Sequence, residues 1–340
     1  MKKLTRPRAL LMALVVVMLL AGCAGQGGVT TILINNDVAE NTLKGESWRH
    51  FQEALESKLG DRVDIEIFDS GSLYNQDTQL QALQQNNVQF IAPVPGVITG
   101  QFPEMGVLGL PYLFKSPEMI DAAINDPTIG GELLAGVEEQ GISVESIWLN
   151  GWRMVQTRDK PIEKLEDMEG LAIRVPPGDN YVQAFEELGA NPTTINFSEV
   201  PTSLQQGVID AAEPTPNANL SDKIYEVAPH ITATDHVLDL YVIATNKEWF
   251  DGLSSEEQEA IRESLDETAE WNWERTQQDN EVALQTMQDE GATFITLDDS
   301  ELARWQEVTE PVIEHYETVA GSDVINELRQ LAEQYDWQRS

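Results

Sequence analysis

The sequence predicts an α/β protein of two domains, with one long helix bracing both. Three observations carry that expectation. From residue 30 onward, short apolar runs alternate with amphipathic helical stretches. The alternation is repeated after about residue 150, and 340 residues are enough for two ordinary domains. Late in the chain, Ser254-Ser255-Glu256-Glu257 forms a capping box, and no proline or glycine follows until Gly291. That run predicts one helix of roughly 35 residues, some 50 Å long at about 1.5 Å per residue.

The elements follow in order. Thr30–Asn35 is an apolar run that reads as a strand. Glu46–Leu59 sets Trp48, Phe51, Leu55 and Leu59 at helical spacing, and Gly60 ends it. Val63, Ile65 and Ile67 alternate with Asp64 and Glu66, the period of a half-buried strand. Asp77–Gln85 reads as helix and Val88–Val94 as strand. Ser116-Pro117-Glu118 combines a capping hydroxyl, a proline at the first helical position and an acid in the first turn. Ile142–Leu149 returns to strand. In the second half, strands are expected at 171–175, 192–196, 208–212 and 237–244, and helices at 179–188 and 198–206, the latter capped by Ser198. Each sheet is expected to be mainly parallel. After the long helix come a strand at Ala292–Leu297 and two helices, about 299–319 and 322–336. The expected division gives 30–150 plus about 240–275 to domain I, and 151–239 plus about 276–340 to domain II. Hinge strands fall near 148–152 and 237–244, and the indoles of Trp271 and Trp273 are expected to touch both domains.

Residues 1–22 read as a leader that is no part of the fold. A basic start with Lys2, Lys3, Arg6 and Arg8 precedes an apolar run from Ala9 to Leu20 that is too short to span a bilayer stably. Leu20-Ala21-Gly22-Cys23 resembles a bacterial lipoprotein cleavage site, with Cys23 as the lipid attachment point and 23–29 as a lipidated, glycine-rich tether. Cys23 is the only cysteine, so the mature fold has no disulfide.

The net charge is −37, and it becomes −41 once the four leader cations are removed. Acids are spread along the whole chain, which excludes nucleic acid as a partner. Such a surface suits high salt, where a Debye length near 3 Å at about 1 M screens self-repulsion. The composition, 41% hydrophobic, is that of a chain with real cores.

Catalytic signals are absent from the sequence. His50, His230, His236 and His315 have no metal-ligand spacing, and the chain carries no nucleophile elbow, phosphate loop or dinucleotide fingerprint. Asp298-Asp299-Ser300-Glu301 reads as a helix start, where acids suit the dipole. No cofactor, metal or enzymatic activity is expected. A cleft hydrolase built on two distant carboxylates is the minor alternative.

Two arginines interrupt apolar strand-like sequence, Arg153 in Leu149-Asn150-Gly151-Trp152-Arg153-Met154-Val155 and Arg174 in Ile173-Arg174-Val175. A cation at the end of a buried strand needs an anion, and guanidinium holds carboxylate through a planar fork. That anion is either one of the chain's own acids or a ligand.

From Gly151 to Val227 the chain resembles the DctP-type solute-binding proteins of TRAP transporters. The resemblance is carried by Gly151-Trp152-Arg153 with Lys160-Pro161-Ile162, by Ile173-Arg174-Val175-Pro176, and by Leu188-Gly189-Ala190-Asn191-Pro192-Thr193. It continues through Phe197-Ser198-Glu199-Val200, Leu204-Gln205-Gln206-Gly207, Val208-Ile209-Asp210 and Lys223-Ile224-Tyr225-Glu226-Val227, with Leu110-Pro111-Tyr112-Leu113-Phe114 upstream. It implies a periplasmic-binding-protein-like fold of type II, TRAP subtype, extracytoplasmic and working without catalysis. It also implies a partner, the TRAP permease in the membrane, to which a small organic acid is delivered. The acid is expected to be a sugar acid or 2-oxo acid, with a C4-dicarboxylate as a further possibility. A sensory binding protein that signals to a receptor is the alternative. By the same resemblance, Arg174 clamps the ligand carboxylate, Arg153 is the second cleft arginine and Phe197 is an aromatic platform. The chain departs from the family pattern at Glu213-Pro214, where many members carry a ligand-binding asparagine in place of Pro214. The remaining polar contacts are therefore expected from Asn36, Asp37, Asn75 or Gln76. Trp152, beside Arg153, is a further candidate contact.

Overall fold

The computed structural model describes residues 28–339. Cys23 and the 1–22 leader lie outside them. Eleven strands form two sheets among the described residues. They are β1 (Thr30–Asn35), β2 (Val63–Phe68), β3 (Phe90–Ile91), β4 (Ile142–Trp152), β5 (Val155–Thr157), β6 (Ala172–Val175), β7 (Asn191–Thr194), β8 (Ala211–Ala212), β9 (His230–Ala233), β10 (Leu238–Asn246) and β11 (Thr293–Thr296). The first sheet runs β2-β1-β3-β10-β4 and the second β11-β9-β5-β8-β6-β7.

Local sequence explains most of these elements. In β2, Val63 and Ile65 are buried while Asp64 and Glu66 face water, and β2 pairs in parallel with β1, where Ile32 and Ile34 are fully buried. The helix Leu43–Leu59 lays Trp48, Phe51 and Leu55 over that sheet. Thr42 caps it by accepting from the Gly45 amide, and Gly60 ends it at φ 57°. The helix Pro117–Asn125 starts as expected, with the Ser116 hydroxyl accepting from the Met119 amide. Ser198, by contrast, sits inside the 3-10 turn Phe197–Glu199, and the helix Val200–Gln206 begins without a side-chain cap. The strand expected over Val88–Val94 shrinks to two residues, because the amides of Pro93 and Pro95 cannot donate to a ladder.

Each sheet is mixed, with most strands running one way and a single strand, β10 or β5, running against them. β10 runs antiparallel to both β3 and β4, and β5 antiparallel to both β8 and β9. The reason is the crossing between bodies. The chain leaves the first body along β4 and enters the second along β5, and it returns along β9 and β10. The β4–β10 ladder ends at Trp152–Leu238, the Arg153 amide donates to the Val237 carbonyl at 2.9 Å, and pairing resumes as β5–β9. One continuous antiparallel pair thus threads both sheets. β9 was not foreseen from the sequence, although it is one half of this pair.

The ladder is broken at Asn150. Gly151 faces Asp239 and Leu149 faces Leu240, so Asn150 is the extra residue of a bulge. Gly151 has φ 111°, and a Cβ there would lie 2.4 Å from the Asn280 amide nitrogen, so only glycine fits.

The long helix spans Ser255–Asp289, 35 residues, with the capping box at Ser254 and Glu257 formed in both directions. Its buried face changes character along its length. Ala260, Ile261 and Leu265 join the core around Trp48 and Phe90. Met287 joins Met154, Tyr225 and Ile231 of the second body. Between them lie Asn272, Thr276 and Asn280, short polar residues that let the helix meet strand backbone closely. Asn272 accepts from the Leu149 amide at 2.7 Å and donates to the Leu149 carbonyl at 3.2 Å. Asn280 donates to the Asn150 carbonyl at 3.0 Å and accepts from the Asn217 amide at 2.9 Å. The helix braces both bodies through these ends and amides, and not through its indoles. Trp271 stacks on His50 and Trp273 donates to the Ile147 carbonyl, both in the first body.

The chain ends by crossing back. In the helix Asp299–Val319, Trp305 packs in the second core, whereas Val312, Ile313 and Tyr316 pack in the first. The final helix, Ser322–Ala332, buries Val324, Ile325 and Leu328 in the same core as Ile120 and Leu133 of the first body.

Candidate functional site

A hollow of about 410 Å³, counting its mouth, lies between the two bodies. The first body and the hinge contribute Val38, Lys44, Gln76, Val94, Asn150 and Tyr241 to its wall. The second body contributes Arg153, Arg174, Pro176, Phe197, Pro214, Thr215 and Ala218. Hydrogen bonds cross the rim. The Phe197 amide donates to Gln76 Oε1 at 3.1 Å, Asn196 Nδ2 to Asp77 Oδ2 at 2.8 Å and the Leu43 amide to Asn217 Oδ1 at 3.0 Å. Nearby, a Cβ on Gly96 would fall 1.9 Å from the Pro177 carbonyl oxygen, so the bodies touch backbone to backbone there.

Arg174 extends from β6 into this hollow and is only 2% exposed. Its Nε donates to the Ile195 carbonyl at 2.9 Å, and its guanidinium stands over the Phe197 ring. Neither terminal nitrogen has an acceptor among the described residues. Burial strips the cation of water and pulls its pKa down to about 10; Glu213 and Asp239 oppose the fall and Arg153 adds to it.

Arg153 is in a different state. Its Nε and Nη2 grip Glu213 as a fork, and its Nη1 donates to Asp239 at 2.6 Å. Burial would raise the Glu213 pKa, but Arg153, with the His236 hydrogen bond at 3.2 Å, holds it below the usual carboxylate range. Arg153 therefore reaches the wall already neutralised by the chain's own acids. Of the two alternatives open for a buried arginine, Arg153 takes the chain's own acids, and the fork of Arg174 is left for a ligand. Asn150, aimed by the bulge, donates to Asp239 at 2.7 Å and accepts from the Thr215 hydroxyl at 3.0 Å.

Of the residues singled out in the sequence, Arg174, Arg153, Phe197, Pro214 and Gln76 line the hollow. Glu213 sits behind Arg153. Asn36, Asp37, Asn75 and Trp152 are not part of the wall. Asn36 donates to Asp69 at 2.8 Å, and Asn75 accepts from the Asp77 and Thr78 amides within its own turn. Asp37 pairs with Lys44. Trp152 lies edge-on to Trp337 and lines a separate hollow behind the hinge.

Sequence reasoning missed Lys44, Tyr241, Asn150 and Thr215. Lys44 carried a signal: it is the second residue of a helix, where the dipole disfavours a cation. Tyr241 carried none, because a tyrosine in an apolar strand reads as core.

Comparison with known proteins agrees with this geometry. The chain is 31% identical over 295 residues to the C4-dicarboxylate-binding protein DctB of Bacillus subtilis, covering 86% of this chain and 84% of that one. A TRAP periplasmic solute-binding protein from Shewanella oneidensis with bound succinate superposes with a TM-score of 0.85 at 29% identity, over 90% of this chain and all (100%) of that one. A TRAP periplasmic solute-binding protein from Sulfitobacter with bound β-D-galacturonate gives 0.83 at 27% identity, over 88% and 100%. The family described as bacterial extracellular solute-binding protein, family 7, matches residues 34–318, and the chain belongs to that DctP family.

Proposed function

We propose that this protein captures a small organic acid between its two bodies by clamping a carboxylate on Arg174, and hands it to a TRAP-type permease. The observation that carries the reading is the pair of acceptor-free terminal nitrogens on a buried arginine. A carboxylate matches that fork bidentately and replaces the hydrogen bonds to water that the guanidinium has lost. Phe197 holds the guanidinium plane from one side. Arg153, Glu213 and Asp239 fix the floor of the site without chemistry of their own, so no substrate is turned over. DctP-family proteins work outside the cytoplasm; lipid attachment at Cys23 would keep this one at the membrane beside its permease. The division of labour follows the sheets: β1–β4 with β10 form one body and β5–β9 with β11 the other, the last helix returning to the first.

Isothermal calorimetry with succinate and with galacturonate tests the reading on the wild-type protein and on Arg174→Gln. Binding of either acid that vanishes in Arg174→Gln supports the clamp. Binding that survives the substitution overturns it.

A further inference from the structure

The last described residues cross from one body to the other. Gln338 holds the first body: its amide donates to the Lys115 carbonyl at 2.9 Å and its side chain to Glu118 at 3.2 Å. Arg339, the next residue, holds the second: it donates to the Leu297 carbonyl at 3.3 Å and to Asp299 at 3.2 Å. Both residues wall the hollow behind the hinge, together with Gly151, Trp152 and Leu238 of the hinge strands. Trp337, just before them, meets Tyr112 and Trp152 edge to face and packs against the first core and the second.

Arg339 also reaches the hinge itself. Its Nε lies 3.5 Å from Asp235 Oδ2. Asp235 is fully buried and stands at φ 43°, in the turn 234–236 that joins β9 to β10. A residue other than glycine keeps that backbone only where its surroundings hold it. Tyr112 holds the turn from the first body, its amide donating to the His236 carbonyl at 2.8 Å and its hydroxyl to the Thr234 carbonyl at 3.3 Å. From the turn a line of contacts runs to the cleft. His236 meets Glu213 at 3.2 Å, Glu213 takes the Arg153 fork, and Arg153 forms part of the cleft wall.

We infer that Arg339 is a positioning residue for acid capture: it ties the hinge turn and the second body to a segment that Gln338 anchors on the first, and so holds the spacing at which both walls of the cleft meet a ligand. Arg339 touches no ligand, and the inference rests on the Arg174 clamp proposed above. Its weight falls on the contact with Asp235. Asp299 is fully exposed, and an ion pair in water contributes little. Asp235 is buried, and a buried carboxylate draws far more from a cation at its side. A ligand binds only the fraction of molecules that hold the competent spacing. Freeing the hinge therefore weakens apparent affinity by the factor through which that fraction falls.

The test compares wild-type protein with Arg339→Gln and Arg339→Lys by hydrogen exchange without ligand and by calorimetry with succinate and with galacturonate. Melting curves check that the variants fold. Lysine keeps the charge beside Asp235 but loses the fork that reaches Leu297 and Asp299 as well, and it carries the test if Arg339→Gln does not fold. The amides of Tyr112 and Arg153, which donate to the His236 and Val237 carbonyls, report on the hinge. They should exchange about tenfold faster in Arg339→Gln, while the amides of β2 stay at the wild-type rate. Affinity for whichever acid the wild type binds should fall about tenfold, with Arg339→Lys in between. Faster exchange confined to 297–299 and 337–339 overturns the inference, because Arg339 then ties down only its own neighbourhood. Acid affinity within about twofold of the wild type in a variant whose hinge has loosened overturns it equally. Failure of the Arg174 reading is recognised separately: acid affinity then stays unchanged in Arg174→Gln, or neither acid binds wild-type protein. In that case exchange at Tyr112 and Arg153 alone decides whether Arg339 holds the hinge.

Discussion

The guanidinium of Arg174 lies over the ring of Phe197, with its central carbon 5.5 Å from the ring centroid. The ring covers one face of the cation, the Ile195 carbonyl takes Nε, and only the fork end is left toward the hollow. Arg174→Lys keeps the charge and removes the fork. It should cost about 2–5 kcal/mol of binding, tens to thousands of fold, while melting stays near that of the wild type. Affinity should also fall as pH rises through about 10, the pH at which the buried guanidinium loses its proton. Calorimetry across pH 7–11 reads both; an unchanged affinity in Arg174→Lys assigns the residue a purely structural role.

Glu213→Gln should destabilise the fold rather than tune the ligand. Glu213 and Arg153 are both buried, and removal of one partner leaves the other charge uncompensated. Breaking a buried pair costs about 3–5 kcal/mol. Urea denaturation measures it, and a loss below about 1 kcal/mol would mean that Asp239 alone satisfies the arginine.

Asp222 offers a pH test of stability. Burial raises its carboxyl to about 6, and its Oδ2 has no hydrogen-bond partner among the described residues. A carboxyl raised on folding binds more protons in the native state than in the unfolded one between pH 4 and pH 6. Stability should therefore increase as pH falls through that window, against the trend of the paired acids. Asp222→Asn should flatten this limb and add on the order of 1–2 kcal/mol at pH 7. Denaturation midpoints of the two proteins at pH 4.5 and pH 7.5 decide it: the variant's advantage should be present only at the higher pH.

Salt should matter more than for an ordinary domain. With a net charge of −37 over the whole chain, self-repulsion is screened only when the Debye length is short. Melting temperature should climb between about 10 mM and about 1 M sodium chloride, as the Debye length shortens from about 30 Å to about 3 Å. A flat curve would remove the case for adaptation to brine.

Much of the fold was written in local pattern. Val63 to Ile67 alternates and becomes β2, and Ser254 with Glu257 caps the helix Ser255–Asp289. What sequence could not show was direction. β10 is buried along its whole length, and nothing in such a run says whether its neighbours lie parallel or antiparallel; the crossing between bodies decides that. The site divided in the same way. Arg174, Arg153 and Phe197 announced themselves through family motifs, and all three reach the wall. Their states did not follow from the motifs, because the acids that occupy Arg153 come from Glu213 and Asp239, far away in the chain. Asn36, Asp37 and Asn75, expected to supply the polar contacts that Pro214 lacks, are engaged instead in local hydrogen bonds or an ion pair.

The rim contacts of Gln76, Asp77 and Asn217 bear on time as well as on affinity. A molecule held beside an arginine that is 2% exposed cannot leave while the rim is shut. Its escape rate is then capped by how often Asn196 releases Asp77 and the Phe197 amide releases Gln76. Residence time becomes a property of the rim as much as of the clamp. A permease that pulled on either side of that rim could discharge its cargo without competing for Arg174 at all.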